Sequence, residues 1–162
     1  MNIREATDRD FEDIWPIFHE IVSRGETYAY DPQTTREDAF TIWMRQPHKT
    51  FVIEDGDTVL GTYYLKQNQP GLGGHVCNCG YMVSSKARGR GLATSLCQHS
   101  QQMAVELGYT AMQFNLVVTT NRGAIRLWES LGFVSVGRLP KAFMHSQEGL
   151  TDALVMYKWL TV

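Results

Sequence analysis

A basic segment with two glycines, residues 81–94 (YMVSSKARGRGLAT), contains the residue types that most clearly suggest chemistry in this sequence. A predicted strand ends within it, a loop follows, and a predicted helix begins at Gly91. Glycine lets backbone N–H groups approach an anion closely, and a helix start presents unpaired N–H donors with partial positive charge. This arrangement suits a pyrophosphate. Three basic side chains could meet further phosphate oxygens: Lys86, Arg88 and Arg90.

Three patterns of phosphate-binding loop can be compared with this segment. A nucleoside-triphosphatase loop ends in Gly-Lys-Ser or Gly-Lys-Thr, and neither follows here. A dinucleotide fingerprint needs a third glycine where Thr94 stands, and it follows the first strand of its unit, whereas this loop lies mid-chain. The third pattern, Arg/Gln-x-x-Gly-x-Gly/Ala, is matched by Arg88, Gly91 and Ala93. The structural alternative is an ordinary tight turn with a solvated basic face.

A second motif, residues 121–133 (NRGAIRLWESLGF), follows another predicted strand. Its spacing of asparagine, alanine, leucine, glutamate and a final Gly-Phe resembles a segment of the Gcn5-related N-acetyltransferases (GNAT), in which the third loop pattern binds coenzyme A. Both motifs occur in that family's order and separation, and the resemblance covers nearly the whole chain. It implies the GNAT fold and an enzyme that transfers an acetyl group from acetyl-coenzyme A (acetyl-CoA) to an amine.

Two subgroups of that family share further stretches with this chain. The stretches that look like the phosphinothricin-type acetyltransferases are residues 26–28, residues 137–139 and Asp152. Residues 114–117 and 125–129 are more similar to the yeast proline-analogue (azetidine-2-carboxylate) acetyltransferases. In that subgroup asparagines on two central strands hold the amino-acid substrate, and Asn78 and Asn115 match those positions. The resemblance therefore implies a small, amino-acid-like acceptor.

The composition indicates one ordinary globular domain over residues 1–162, with 43% hydrophobic and 20% charged residues. A net charge of −2 argues against a nucleic-acid binder, which would present a basic face. No apolar run approaches the ~20 residues that span a bilayer. Three cysteines is an odd count, and the sequence starts without a secretory leader, so we expect a reducing, cytoplasmic location.

Hydrophobic periodicity and turn residues predict alternating strands and helices. Helices are predicted over residues 8–24, 35–45, 91–107 and 122–131, with Pro16 kinking the first or delaying its start. Strands are predicted over residues 2–6, 50–55, 58–67, 75–84, 111–118, 133–138 and 150–159, the last two joined by a loop. This order predicts an α/β (α+β) fold with a single mixed, mostly antiparallel central sheet and helices on both faces.

The resemblance implies that strands 75–84 and 111–118 splay apart and that the pantetheine arm of the coenzyme inserts between them. Backbone groups of Met82 and Val83 are expected to pair with that arm, and the Val83 N–H to face the thioester oxygen. The residues expected to contact coenzyme A are Met82, Val83, Arg88, Gly89, Arg90, Gly91, Leu92, Ala93, Thr94, Asn121 and Trp128.

The acceptor is expected beside the same strands, beneath the loop that follows the first helix. The residues expected to contact it are Glu26, Tyr28, Tyr30, Asn78, Asn115 and Leu116. Aromatic side chains with one carboxylate could cradle a cationic amine. An exposed lid or dimer surface is the alternative interpretation of the tyrosine-containing loop.

Catalytic roles are expected for Asn78, Asn115 and Val83. Neither strand contains an Asp or Glu, and His75, at the far end of its strand, is their only ionisable candidate of suitable pKa. A water held by either asparagine or by backbone carbonyls is the favoured proton relay. Either asparagine could instead satisfy backbone groups at a strand edge.

Trp128 stands where the family usually places a tyrosine that protonates the leaving thiolate. An indole cannot donate a comparably acidic proton, so Trp128 is expected to pack on the pantetheine or in the core. Asn121 is expected to bond to the coenzyme, to cap the following helix, or both. His75, Cys77 and Cys79 alternate onto one strand face, but neither a fourth ligand nor the C-x₂-C-type spacing of a zinc site is seen. The two cysteines are therefore expected to pack in the core or at an edge, and no metal is expected.

Two other functions remain open at this point. The missing tyrosine favours a non-catalytic module that binds acyl-CoA, and a protein or peptide amine could replace the small molecule as acceptor. The resemblance also implies a homodimer.

Overall fold

Seven strands and four α-helices make up the computed structural model, which describes residues 1–161. In chain order they are β1 (Asn2–Glu5), α1 (Phe11–Ser23), α2 (Arg36–Phe40), β2 (Lys49–Asp55), β3 (Thr58–Gln67), β4 (Val76–Val83), α3 (Leu92–Glu106), β5 (Ala111–Val118), α4 (Arg122–Ser130), β6 (Val134–His145) and β7 (Gly149–Trp159). A π-helical turn, Thr41–Arg45, extends α2. Short 3₁₀ turns lie at Asp8–Asp10, Gly71–Gly73 and Ser85–Ala87.

The strands form one sheet in the order β1-β2-β3-β4-β5-β7-β6. Every neighbouring pair is antiparallel except β4 with β5, which the crossover through α3 makes parallel. The predicted fold class, a mixed and mostly antiparallel sheet, is therefore confirmed.

The two faces of the sheet bury separate hydrophobic clusters. Successive side chains of a strand point to opposite faces, so Tyr63 joins the cluster that contains residues of α3 and α4, whereas Tyr64 joins the cluster formed with α1 and α2. Trp43, fully buried in the second cluster, donates its indole N–H to the Thr62 hydroxyl at 3.0 Å. The sheet separates these two compartments, so a ligand that contacts both must pass through an opening between strands.

The start of α1 is held by an ion pair from β1. The Asp10 carboxylate accepts from two guanidinium nitrogens of Arg4, at 2.9 and 2.8 Å, and from the Thr7 N–H at 2.6 Å. Hydrogen bonding from Arg4 lowers the pKa of Asp10 to about 2. The helix itself begins at Phe11, later than predicted, and continues through the exposed Pro16.

The prediction for β6 was too short. The strand extends to His145, although the sequence predicted it to end at residue 138. Its side chains are mostly exposed on both faces, which removes the alternating pattern that identifies a half-buried strand. A register shift between Leu139 and Phe143, with Lys141 at φ 52°, further interrupts the regular pattern of the strand, although β6 and β7 pair locally as a hairpin around residues 146–148.

Candidate active site

An opening lies between β4 and β5 at the centre of the sheet. The two strands pair only at Val76 with Ala111 and at Cys77 with Met112, although they continue to Val83 and Val118. Beyond those pairs lies a cavity of about 610 Å³. Its lining comes from both strands, from the loop after α1, from β3 and from the first turns of α3 and α4. The predicted separation of these two strands is thus present.

Asn78 closes the narrow end of this opening. Its side-chain NH₂ donates to the Gln113 carbonyl of β5 at 2.9 Å, and its carbonyl accepts from the Tyr64 hydroxyl at 2.9 Å. The side chain thereby replaces a strand-to-strand backbone bond at the point where the ladder ends. Asn78 is 6% exposed and lines the cavity, so it combines the structural role with access to a ligand.

The backbone groups of β4 that face the opening follow from its register with β3. Ser84 donates its N–H to the Leu60 carbonyl at 2.8 Å, and bonded residues alternate along an antiparallel pair. Met82 therefore directs its N–H and C=O towards β3, whereas Tyr81 and Val83 direct theirs towards β5. This register agrees with the expected orientation of the Val83 N–H and argues against the expected Met82 backbone contact, because those groups face the neighbouring strand.

The loop between β4 and α3 has the geometry expected of an anion site. Gly91 is the N-cap of α3 at φ 73°, and Gly89 has φ 75°; both values lie in the left-handed region that favours glycine. Arg88 and Ala93 line the cavity. Arg90 instead reaches the β2–β3 turn, where its guanidinium contacts the Asp55 carboxylate at 3.0 Å.

The first turns of α4 form one wall beside this loop. The Asn121 side chain accepts from the Ala124 N–H at 3.4 Å, so it caps the helix while also lining the cavity. Trp128 is 9% exposed, with its ring centroid 5.1 Å from both Tyr81 and Phe114. Trp128 is therefore part of the core and part of the cavity wall at once. Leu92 is buried, and Thr94 and Leu92 do not line the cavity.

The loop after α1 covers the opposite end of the cavity. Tyr28 and Tyr30 stack with ring centroids 5.6 Å apart, and the Tyr28 hydroxyl donates to the Tyr81 carbonyl at 2.7 Å. Burial raises the pKa of Tyr28, so its phenol stays protonated near neutral pH. The Ser146 N–H, in the β6–β7 turn, donates to the Gly25 carbonyl at 2.9 Å and ties this loop down. Glu26 joins the same lining.

Tyr64 is a residue of this site that the sequence interpretation missed. Its ring lies against β4 because residue 80 is glycine: a Cβ atom built there would stand 2.6 Å from Tyr64 Cε1. Burial raises the pKa of Tyr64, which keeps its hydroxyl available as the donor to Asn78. An isolated glycine inside a predicted strand signals such a close approach, and Gly80 was the available signal.

Asn115 and Leu116 lie in a bulge of β5, where the register with β7 shifts between Phe114 and Val117. Both line the cavity, but Asn115 is exposed. Its side-chain NH₂ donates to the Asn68 side-chain carbonyl at 2.7 Å, and its own carbonyl accepts from Gln113 at 2.9 Å. Asn115 therefore lies at the rim of the cavity, whereas Asn78 lies deep inside it.

The three cysteines are free and buried. Burial raises the pKa of Cys79 well above its ordinary value, which disfavours a nucleophilic thiolate although the residue lines the cavity. Among residues 1–161 no group of three or more His, Cys, Asp or Glu side chains is arranged to hold a metal ion. Within the same residues, no helix combines the length and apolar character needed to cross a bilayer.

Known proteins are similar to this chain in both sequence and architecture. Residues 9–133 match the Acetyltransferase (GNAT) family. The N-acetyltransferase aca1 of Schizosaccharomyces pombe is 30% identical across 83% of this chain and 72% of its own length. The solved GCN5-related N-acetyltransferase from Kribbella flavida is 46% identical with a TM-score of 0.92, over 98% of this chain and 96% of that one.

A more distant structure has the same fold. The phosphinothricin acetyltransferase from Sinorhizobium meliloti, solved in complex with acetyl-CoA, superposes with a TM-score of 0.86 at 19% identity. That superposition covers 99% of this chain and 88% of the other. Because the family match spans most of the chain and the fold agrees throughout, this chain belongs to the GNAT family of acetyltransferases.

Proposed function

We propose that this enzyme transfers the acetyl group of acetyl-CoA to the amine of a small, amino-acid-like molecule by direct attack within a ternary complex. The observation that carries the proposal is one cavity that runs from the glycine-containing loop, through the opening between β4 and β5, to the tyrosine-covered loop after α1. Two ligands that enter from opposite ends would meet at the free edge of β4.

The residues present fit acetyl-CoA. Gly89 and Gly91 leave the loop backbone open to a diphosphate, since nothing lies within 4 Å of a Cβ built at either position. Arg88 supplies a nearby cation, and the unpaired edge of β4 offers N–H and C=O groups to the pantetheine amides. When bound, acetyl-CoA supplies a thioester, which is an activated acyl donor.

The residues of the chain position the two reactants and polarise the thioester carbonyl. We propose that the Val83 N–H donates to the carbonyl oxygen on which negative charge develops. Trp128 and Phe114 form an apolar wall that excludes water from the same point. Holding both reactants in one cavity supplies much of the remaining acceleration.

Proton removal from the acceptor amine needs a route out of the opening. Asn78 has one amide hydrogen and one carbonyl lone pair beyond its two bonds to protein, so it can hold a water there. Glu26 contributes the one carboxylate among the cavity-lining residues, and we propose that it attracts the protonated amine. Asn115, at the rim, is proposed to contact the body of the acceptor.

No protein acid is proposed for the leaving group. Trp128 has no acidic proton to give, and thiols have pKa values of about 8.5, so a thiolate can leave unaided near neutral pH. The coenzyme contacts we propose are the Val83 backbone, the backbone of residues 88–93 where the loop meets α3, Asn121 and the Trp128 ring.

Closure of the acceptor end supports a small molecule over a protein substrate. A protein-lysine acceptor needs an open groove, whereas here the Ser146 contact to Gly25 and the Tyr28 contact to Tyr81 hold the covering loop against the sheet. Polyamines and peptides therefore serve as the competing acceptors in the test below.

We also propose that the enzyme is a homodimer. β6 is an edge strand, and large apolar side chains of β6 and β7 are exposed, including Val136 at 59%, Met144 at 67% and Trp159 at 57%. Such exposure on an unpaired edge is typical of an interaction surface. Light scattering of the purified protein tests this, and a monomer at micromolar concentration would contradict it.

Three free thiols in one chain are consistent with a reducing compartment, and we propose a cytoplasmic location on that ground. Fractionation of the source cells tests this location, and recovery of the protein from an oxidising compartment would contradict it.

The test of the proposed activity is release of free thiol from acetyl-CoA in the presence of an amine panel. The panel contains proline analogues, phosphinothricin, methionine sulfoximine, polyamines and peptides. The proposal predicts that at least one amino-acid-like amine raises thiol release above the hydrolysis rate. If acetyl-CoA binds but no amine raises it, the chain is the non-catalytic module and the proposal is wrong.

A further inference from the structure

We propose that the acceptor end of the cavity contains a carboxylate subsite, in which the Lys66 ammonium binds an acidic group of the amine acceptor. This inference rests on the proposed function and adds the residue that would recognise the carboxylate of an amino-acid-like acceptor. Lys66 is then a specificity-determining residue rather than a catalytic one.

Lys66 lies on β3 beside the narrow end of the opening. It is the cross-strand partner of Asn78, and cross-strand Cβ atoms stand roughly 5 Å apart. Its Nζ lies 5.1 Å from the centre of the Tyr64 ring, on the face of the sheet that also carries α1. An aromatic ring attracts an ammonium and orients it without neutralising its charge. Lys66 therefore lines the cavity with its ammonium over the Tyr64 ring.

The surrounding charges leave Lys66 without an internal counter-ion. Within residues 1–161 no carboxylate lies within 4.0 Å of its ammonium, whereas Arg24, the other cation of this end, pairs with Glu20 at 3.0 Å. The cavity lining holds three cations (Arg24, Lys66 and Arg88) and one carboxylate (Glu26), and with Arg24 paired to Glu20 the remaining cations still outnumber the carboxylate, in a chain whose net charge is −2. A positive cavity in an acidic protein favours anionic ligands.

The coenzyme phosphates do not account for the charge of Lys66. The phosphate loop precedes α3, whose residues pack on the opposite face of the sheet, and Arg88 serves that end. Lys66 lies on the α1 face, where the acceptor is proposed to enter. Its anionic partner is therefore expected to belong to the acceptor.

The side chains around Lys66 are fixed by close packing and by hydrogen bonds. Gly80 leaves room for the Tyr64 ring, the Tyr64 hydroxyl donates to Asn78, and Asn78 donates to β5. An acceptor with its carboxylate on Lys66 and its amine beyond Asn78 would direct the nitrogen into the opening. α-Amino acids have this short separation of carboxylate and amine.

The test compares amino acids with their uncharged carboxamides as acetyl acceptors. Twenty α-amino acids, the proline analogue azetidine-2-carboxylate and the corresponding amides are assayed for thiol release from acetyl-CoA. The best acid is expected to exceed its amide by about 10- to 100-fold in kcat/KM, the range of a hydrogen bond to a charged group. Lys66→Met, which keeps the aliphatic stem, is expected to abolish that preference while the acetyl-CoA KM stays within about 2-fold.

Two further variants control the comparison. Lys66→Arg retains the charge and is expected to keep most of the preference for the acid. Lys49→Gln removes an equal charge at a surface pair with Glu5, at 2.8 Å, and is expected to change nothing. Amides or simple amines that react as well as the acids would overturn the carboxylate subsite and leave the acetyltransferase proposal standing. If acetyl-CoA binds and no amine of any kind reacts, both proposals are wrong.

Discussion

The coenzyme end and the acceptor end of the cavity are formed by different kinds of atoms. At the coenzyme end the proposed contacts come mainly from backbone: two glycines at positive φ, the start of α3 and the free edge of β4. At the acceptor end they come from side chains on four separate segments, including Tyr28, Tyr64 and Lys66. Backbone geometry fits a ligand common to a whole family, whereas side chains can change with each acceptor.

Because of this contrast, substitutions at the two ends are expected to affect different ligands. The phosphate loop is a continuous segment whose function depends on residue spacing, and a change there is expected to affect coenzyme binding alone. The acceptor end depends on long-range contacts such as that of Tyr64 with Gly80, and a change there is expected to affect the amine alone. Substitutions can separate the two, beginning with the largest expected effect.

Gly91→Arg should lower the affinity for acetyl-CoA by at least about 100-fold, because a side chain would fill the space proposed for the diphosphate. The fold has room for it, since nothing lies within 4 Å of a Cβ built there, but the φ of 73° costs roughly 1–2 kcal/mol of stability for a non-glycine residue. Titration calorimetry with coenzyme A measures the affinity.

Gly108→Arg is the matched control for that variant. Gly108 follows α3 at φ 90° and also has open space around its Cβ position, so it shares the backbone penalty without the ligand contact. Equal affinities for Gly91→Arg and Gly108→Arg would show that the loop is not the coenzyme site.

Gly80→Ala should reduce the acceptor kcat/KM by at least about 10-fold and leave acetyl-CoA affinity unchanged. The added methyl group would stand 2.6 Å from Tyr64 Cε1 and displace the ring. Such overpacking is also expected to cost about 1–3 kcal/mol of folding free energy. Gly137→Ala, in β6 with nothing within 4 Å, is the control and should be silent in both assays. An unaltered acceptor kcat/KM in Gly80→Ala would exclude a role for the Tyr64 position.

The two asparagines should separate structure from substrate contact. Asn115→Ala is expected to raise the acceptor KM by about 5-fold and the acetyl-CoA KM by less, with little loss of stability, because the residue is exposed. Asn78→Ala should destabilise the fold by about 1–3 kcal/mol, because it removes the partners of the buried Tyr64 hydroxyl and of the Gln113 carbonyl. Steady-state kinetics measures the two KM values, and urea denaturation measures the folding free energy. Equal KM increases for the two substrates in Asn115→Ala would contradict a substrate role.

A change outside both ends should affect neither ligand. The folded-state pKa of Asp10 is lowered to about 2 from 3.8, so its ionised form stabilises the fold above pH 4. That contribution, roughly 2 kcal/mol, is lost as the pH falls from about 4 to about 2. Asp10→Asn should show a flatter dependence of unfolding free energy on pH in that range, with both KM values near wild type. An identical pH profile for the two proteins would refute the assignment.

Sequence reasoning recovered what depends on local pattern. The strand of residues 111–118 and the helix of residues 91–107 were predicted from hydrophobic periodicity and turn residues, and the structure has both, with Gly91 as the N-cap of α3. The two family motifs, which end with residues 93 and 133, were recognisable because their function depends on contiguous spacing. The exposed end of β6 escaped prediction because a strand without a buried face has no periodic signal.

The acceptor end could not be predicted as fully, for a geometric reason. Which edge of β4 carries a given N–H depends on its register with β3, so the sequence could not distinguish Met82 from Val83. Tyr64 and Lys66 are indistinguishable from other strand residues in the sequence, because their place in the site depends on the pairing of β3 with β4. Glu26, Tyr28 and Asn78 were anticipated through family resemblance, and the structure places all three around one cavity.

The most direct test of the central claim is a crystal structure of the protein with coenzyme A bound. We predict that the diphosphate contacts backbone N–H groups of residues 88–93 and that the pantetheine lies between β4 and β5, bonded to Tyr81 and Val83. A coenzyme found elsewhere, with this loop and the opening between the strands free of ligand, would contradict the account.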